Sequence, residues 1–324
     1  MTGGNSWHRR PRLCFVAQHV LTVRPKIHEL RPSAEHDTTV FDPEARLKWT
    51  CRSQTRRELV EVSRGRLCHN QQGVHVRLLI AIPVHNERKY VRPVLQKVRQ
   101  FHDGDILVVD DGSTDGTSEI LGSIPDIHCI RHATNLGYGQ SLIDAFAFAD
   151  RQGFDWVITM DCDEQHEPAM IPEFVRCIES GRWDLISGSR YLQQRNDNDL
   201  PPTDRRRING EITRLVNQCL DLNLTDTFCG YKAHRVRAMR RVQLNEAGYA
   251  FPMQLWPQVA AAGLRIAELP VRLIYNDPTR HFGGQLDDAD HRLRHYLDVF
   301  HREMERAFPQ ASGAIEDACY CCAK

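Results

Sequence analysis

Residues 78–83 read Leu-Leu-Ile-Ala-Ile-Pro, an apolar run with no polar alternation, which suits a strand covered on both faces. Such a strand needs helices above and below it, and the chain supplies them in turn. A helical segment is expected over 87–101, a second buried strand over 106–109, a helix over 115–121, a short strand over 127–130 and a helix over 138–150. The alternation resumes with a strand at 156–160, a helix at 168–179 and a strand at 185–187; Pro168 suits a first turn, where its missing N–H costs nothing. Repeated strand, helix, strand defines the α/β class, with one sheet buried between helices.

In open α/β sheets ligands bind beyond the carboxyl ends of the strands, so the residues after each apolar run are the first candidates for chemistry. Trp156-Val157-Ile158-Thr159-Met160 is followed by Asp161-Cys162-Asp163-Glu164-Gln165-His166. Two carboxylates one residue apart at a sheet edge can hold a divalent cation against a diphosphate, and the same pair also suits a solvated turn. Oxygen ligands of this kind fit Mg²⁺ or Mn²⁺. Cys162 reads as buried filler, while His166 can position Gln165, meet a phosphate or bind the metal. The strand at 106–109 runs into Asp110-Asp111-Gly112-Ser113-Thr114-Asp115-Gly116-Thr117, a tight turn rich in helix caps, where Asp111 reads equally well as a turn cap. Gly137 and Gly139 suit a plain helix-start turn.

Composition narrows the class without naming it. At 324 residues the chain can bury a full core, and one catalytic domain with tails fits better than two domains. With 42 basic and 42 acidic residues there is no global attraction to nucleic acid or to an anionic membrane, so any basic site is local. Eleven scattered cysteines do not make a secreted disulfide framework, and a reducing cytoplasm is the simpler expectation. No stretch approaches the roughly 18–20 apolar residues that span a bilayer, so a soluble or peripheral protein is expected. Residues 1–75 are basic and lack a sustained period. They are expected to be a loose tail, with a presequence or a segment before the biological start as alternatives. Residues 76–308 then form the catalytic domain and 309–324 a second tail, which carries the cluster Cys319, Cys321 and Cys322.

Seven pieces in order resemble the family 2 glycosyltransferases, and within them the dolichol-phosphate mannose synthases and their bacterial polyprenyl-phosphate relatives. They are IPVHNE at 82–87, VVDDGSTDGT at 108–117, NLGYGQS at 135–141, MDCDEQHEP at 160–168, SGSRY at 187–191, DTFCGYKAHR at 226–235 and ELPVRL at 268–273. The resemblance covers 76–275. It implies a GT-A fold, a single Rossmann-like domain with a mixed, mostly parallel sheet. The expected activity is inverting transfer of a hexose from a nucleotide-diphosphate sugar, GDP-mannose first and UDP-glucose second, to polyprenyl phosphate. Pro83, His85, Glu87, Asp110, Asp111 and Asp161 are expected around the donor, with Asp161, Asp163 and Gln165 around the metal. Glu164 departs from the apolar residue common in the relatives.

The acceptor separates the substrate classes. A lipid phosphate is already anionic and needs no base, only arginines to hold it in line. The resemblance assigns Arg190 and one of Arg205, Arg206 and Arg207 to that task, although the triplet also reads as part of a solvated, irregular loop over 193–209. A sugar hydroxyl would need a carboxylate base, for which Asp226 is the motif's candidate; in the lipid-phosphate relatives its counterpart shapes the site. Lys232 serves a phosphate or covers the surface, and Arg280 with His281 stands where the relatives carry a lysine. Helical spacing is expected over 207–222 and again over 286–307, where Leu293, Tyr296, Leu297 and Phe300 form a stripe that docks on the domain. Two rivals remain. A sugar-nucleotide pyrophosphorylase would need a Gly-rich, Arg-containing loop where PVHNE stands, and an inactive nucleotide-binding scaffold would share the fold without the reaction.

Overall fold

The computed structural model describes residues 68–69, 75–275 and 283–309. Arg280, His281, the terminal cysteines and nearly all of the expected amino-terminal tail lie outside the described residues. A short ribbon, β1 (Cys68–His69) paired with β2 (His75–Val76), leads into the main sheet. That sheet comprises β3 (Leu78–Val84), β4 (Asp105–Asp110), β5 (His128–Arg131), β6 (Trp156–Thr159), β7 (Leu185–Ser189), β8 (Lys232–Arg235) and β9 (Ile266–Pro270). Their spatial order is β5-β4-β3-β6-β8-β7-β9, and every pairing is parallel except those of β8 with β6 and β7.

The continuous apolar run has its cause in the layers. Ile80 and Ile82 point to one face, packing with α1 (Val91–Arg99), α2 (Thr117–Gly122) and α4 (Ile171–Glu179). Leu79 and Ala81 point to the other, where α3 (Tyr138–Arg151), α5 (Thr203–Leu220), α7 (Phe251–Ala261) and α8 (Ala289–Ala307) lie. All four side chains are fully buried; each Leu or Ile so placed contributes roughly 2 kcal/mol of hydrophobic stabilisation. A short α6 (Val236–Met239) follows β8.

The reversal of β8 sets the position of the site. Because β8 runs against β6 and β7, the residues leading into it, 226–231, arrive at the rim where β6 and β7 end. Asp161, Arg190 and Asp226 thus meet at one edge although they are far apart in sequence.

Three boundaries differ from the expectation. Pro168 and Pro172 each suit a first turn, so a 3-10 turn at Pro168–Met170 precedes α4 and the helix starts twice. The irregular segment expected to reach Asn209 ends at Pro202; α5 opens at Thr203 with Asp204 in its first turn, which favours the helix dipole, so Arg205–Arg207 ride on a helix. Helix α8 starts at Ala289, where the Asp288 side chain accepts from the His291 N–H at 2.7 Å. Its Tyr296 and Phe300 are buried against the core, as the stripe requires. No helix of the described residues is long and apolar enough to cross a membrane.

Candidate active site

A cavity of about 1260 Å³ opens at the carboxyl edge of the sheet. Its first wall follows β3: Pro83, His85 and Glu87 all line it. His85 donates from Nδ1 to the Asp111 carbonyl at 2.7 Å, so its Nε2 is the acceptor for the Asn86 side-chain amide at 3.1 Å. Asn86 adopts φ 57°, which Asn tolerates, and ties this loop to the next turn: its N–H donates to Ser113 Oγ (2.9 Å) and its Oδ1 accepts from the Thr114 N–H (2.8 Å).

The two aspartates after β4 have different surroundings. Asp110 is fully buried, accepts from the Ser113 N–H at 3.0 Å and from the Ser118 hydroxyl, and does not line the cavity. Asp111 lines it, yet its oxygens hold the backbone of 136–137, accepting from Leu136 N–H (2.7 Å) and Gly137 N–H (2.8 Å), while His132 bridges Asp111 and Asp144. The cap of the turn after β4 is thus Asp110, whereas Asp111, for which a turn cap is the alternative reading, ties that turn to the start of α3. Gly112, at φ +66°, has no room for a Cβ, which would stand 2.4 Å from the Thr134 carbonyl carbon.

The segment after β6 brings Asp161, Asp163 and Gln165 to the cavity together. The Asp161 N–H donates to His166 Nδ1 at 2.9 Å, and the Asp161 carboxylate accepts from the Tyr138 hydroxyl at 3.1 Å. Burial holds His166 down at about 4, so it is neutral near pH 7 and its 3.7 Å approach to Asp161 is no ion pair. His166 stacks on Tyr231 beneath the loop and braces it from the core side. Gly230 lies against the Asp161 carboxylate, where a Cβ would come within 2.8 Å of Oδ2. Asp163 Oδ1 accepts from the Gln165 N–H at 3.0 Å. Glu164 turns to the outer surface and pairs with Lys97 at 2.5 Å, which accounts for a charged residue where the resemblance expects an apolar one. Cys162 is buried, as filler would be.

This donor set fits a hard divalent cation. Two carboxylates and a carboxamide line one cavity, and no group of three His, Cys, Asp or Glu suited to a metal gathers among the described residues. A cation bound here would complete its shell with water and substrate oxygens, which is how Mg²⁺ is usually held beside phosphates.

Beyond β7, Arg190 and Asp226 form a fork. Arg190 Nε donates to Oδ2 at 2.6 Å and Nη2 to Oδ1 at 2.9 Å. Asp226 also accepts from Asn209 Nδ2 (2.9 Å), the Phe228 N–H (3.1 Å) and the Arg190 N–H (3.2 Å). Burial alone would raise its pKa, but the Arg190 charge and these donors hold it down at about 2. A carboxylate so acidic and so fully hydrogen-bonded is a weak base, poorly matched to taking a proton from a hydroxyl near neutral pH. Glu268 braces the same segment from below, accepting from the Thr225 N–H and the Asp226 N–H.

The arginine triplet divides. Arg205 lines the cavity together with Ile208 and Asn209, three and four residues on, and donates to the Tyr275 hydroxyl at 2.6 Å. Arg206 lies over the Tyr191 ring at 3.8 Å, and Arg207 pairs with Glu211 (3.3 Å) on the exposed face. Lys232 neither lines the cavity nor covers the surface. It is 4% exposed, with Nζ on the Cys229 carbonyl and the Trp256 ring nearby, because β8 runs through the interior of the sheet. Sequence reasoning missed Tyr138, Asn209, Tyr249 and Arg292, which also line the cavity. The helical period of α5 could have pointed to Asn209 one turn after Arg205; the others are brought in by tertiary packing.

A doubly covered, mostly parallel sheet with a wide carboxyl-edge cavity defines an open-sheet α/β protein that takes its ligand at the rim. The sequence profile described as "Glycosyl transferase family 2" matches residues 79–242. The chain is 30% identical to the undecaprenyl-phosphate mannosyltransferase of Micrococcus luteus over 66% of its own length and 91% of that protein. It is 28% identical to the polyprenol monophosphomannose synthase of Mycolicibacterium smegmatis, over 60% of this chain and 76% of that one. The glucosyl-3-phosphoglycerate synthase of Mycobacterium tuberculosis, solved with Mn²⁺, UDP and phosphoglyceric acid, superposes with a TM-score of 0.53 at 19% identity, covering 70% of this chain and 78% of that chain; at that identity the likeness speaks for the fold. The chain belongs to glycosyltransferase family 2 and is a glycosyltransferase.

Proposed function

We propose that residues 76–308 catalyse inverting transfer of a mannosyl group from GDP-mannose to polyprenyl phosphate. The observation that carries this reading is the state of Asp226: the one motif carboxylate available as a base is buried, spent on Arg190, Asn209 and Phe228, and held at about 2. An acceptor that is already an anion needs no base. Its phosphate oxygen attacks the anomeric carbon as the bond to the nucleoside diphosphate breaks, and no proton has to move. The mannosyltransferase relatives support the same acceptor class by their names.

Arg190, fixed by the fork, would orient the acceptor phosphate, with Arg205 from α5 beside the same cavity. Pro83, His85, Glu87 and Asp111 would frame the donor nucleotide, and Asp161, Asp163 and Gln165 would hold Mg²⁺ or Mn²⁺. When bound, that cation supplies Lewis-acid neutralisation of the departing diphosphate. Asp110 would act through the turn it caps. A lipid acceptor implies peripheral contact with a membrane, at its cytoplasmic face.

The test is to incubate the purified chain with Mn²⁺, radiolabelled GDP-mannose and farnesyl phosphate. Label is expected in the organic-extractable product; transfer confined to water-soluble glycan would overturn the lipid-phosphate reading. A thermal-shift series with GDP and UDP, each with and without Mn²⁺, reads the nucleotide separately, since a ligand of the folded state raises its melting temperature. Preference for UDP would move the donor to a UDP-sugar.

A further inference from the structure

Part of the cavity wall comes from α8, which lies beyond the family segment at 79–242. Tyr296 on this helix is 3% exposed and lines the cavity, its ring held against Phe228 with centroids 5.0 Å apart. Its hydroxyl has no hydrogen-bond partner among the described residues. A buried phenol normally finds one, so a hydroxyl that faces a cavity without it is a donor left for a ligand.

The surroundings specify the ligand's charge. Arg205 and Arg292 line the same cavity, and both guanidinium charges bear on the phenol. Burial outweighs them and pushes its pKa up to about 12, so the hydroxyl keeps its proton at neutral pH and acts as a donor. Each arginine head is braced: Arg205 by the Tyr275 hydroxyl at 2.6 Å, Arg292 by the Leu286 carbonyl at 2.7 Å and Asp204 at 2.5 Å. A hydroxyl donor within the field of two arginines, Arg205 and the Asp204-paired Arg292, favours an oxygen-rich anion over a neutral hydroxyl compound.

We propose that Tyr296, with Arg205 and Arg292 beside it, forms a subsite for the phosphate monoester of the acceptor, the Tyr296 hydroxyl donating to a non-bridging phosphate oxygen. This rests on the acceptor-phosphate reading above and adds a helix that the family motifs do not reach. A lipid headgroup and a soluble phosphate ester share the chemistry, and the choice of ligands separates them.

Tyr296→Phe removes one oxygen and keeps the ring, so the core packing of α8 is retained. Calorimetric titration of the full chain with farnesyl phosphate, glycerol 3-phosphate, farnesol and GDP reads the subsite directly. The variant should bind the phosphate ester about ten- to a hundred-fold more weakly, the range of a lost hydrogen bond to a charged group, with farnesol and GDP unchanged. Arg205→Gln, on α5, should weaken the same ligands and spare the same controls. Binding of farnesyl phosphate alone identifies a lipid headgroup, and binding of glycerol 3-phosphate a soluble ester. Equal affinity in parent and Tyr296→Phe would overturn the subsite and leave the phosphate-acceptor reading standing. A parent chain that ignores glycerol 3-phosphate and binds farnesyl phosphate no better than farnesol would remove both.

Discussion

Arg190 donates through Nε and Nη2 to the two oxygens of Asp226, and in that pair the Asp226 side chain is fully buried while the Arg190 side chain is 20% exposed. The pair therefore has a buried anchor and a head that reaches the cavity. Asp226→Asn should cost about 3–5 kcal/mol of stability, because it leaves the Arg190 charge largely buried without its counter-charge. Urea unfolding measures this; an unchanged midpoint would show that the fork is not structural.

Asp163 sits at the end of β6 with one oxygen on the Gln165 N–H and its side chain on the cavity. Asp163→Asn keeps the shape and an acceptor oxygen but removes the charge. Turnover should fall by roughly a hundred-fold or more, as expected for loss of several kcal/mol of charge stabilisation, with an unchanged far-ultraviolet spectrum. The stabilisation of the GDP complex by Mn²⁺ should fall with it. Full activity in this variant would remove the metal role.

Gly139 lies under the loop 245–249, where a Cβ would come 2.1 Å from the Glu246 carbonyl oxygen. That loop also accepts from the Gln140 N–H through Ala247 at 3.1 Å and carries Tyr249, which stacks on Tyr138 at 5.8 Å. Gly139→Ala should lower stability by about 1–3 kcal/mol through overpacking and weaken Mn²⁺–GDP binding as Tyr249 moves off Tyr138. A melting temperature equal to the parent's would show that the loop yields freely.

Glu268 is 5% exposed, and burial raises its pKa to about 7 despite the Thr225 and Asp226 donors. A carboxyl that holds its proton more tightly when folded contributes stability that is complete below the unfolded value near 4.5 and lost as the pH rises through 7. Asp226, held at about 2, works in the other direction: its contribution is complete above the unfolded value near 3.8 and lost as the pH falls through 2. Glu268→Gln should therefore lose the gain seen on acidification from pH 7 to 4.5, and its melting temperature should drop more steeply over that range than the parent's. Parallel profiles would refute the assignment.

The layered sheet was legible because a strand covered on both faces has no polar residues to interrupt it, as in 78–82. Helix α7 was not: Phe251 through Pro257 are all buried, so no polar face marks a period. Strand β8 was hidden for a related reason, since Lys232 and His234 are charged or polar side chains that this fold buries. At the site, Asp161, Asp163 and Arg190 could be anticipated from their places after strands. The division of labour within 205–207 could not, because it depends on where α5 begins and which of its faces meets the cavity.

Helix α8 also sets a practical limit on dissection of this enzyme. Cutting the chain at residue 242, where the family profile stops, would strip away Tyr249 with its loop, and Arg292 and Tyr296 with α8. The cavity would be left roofless and the sheet deprived of β9 and of the core side chains of α7 and α8, so the truncated product would score as inactive for want of a fold, whatever Asp161 and Asp163 can do.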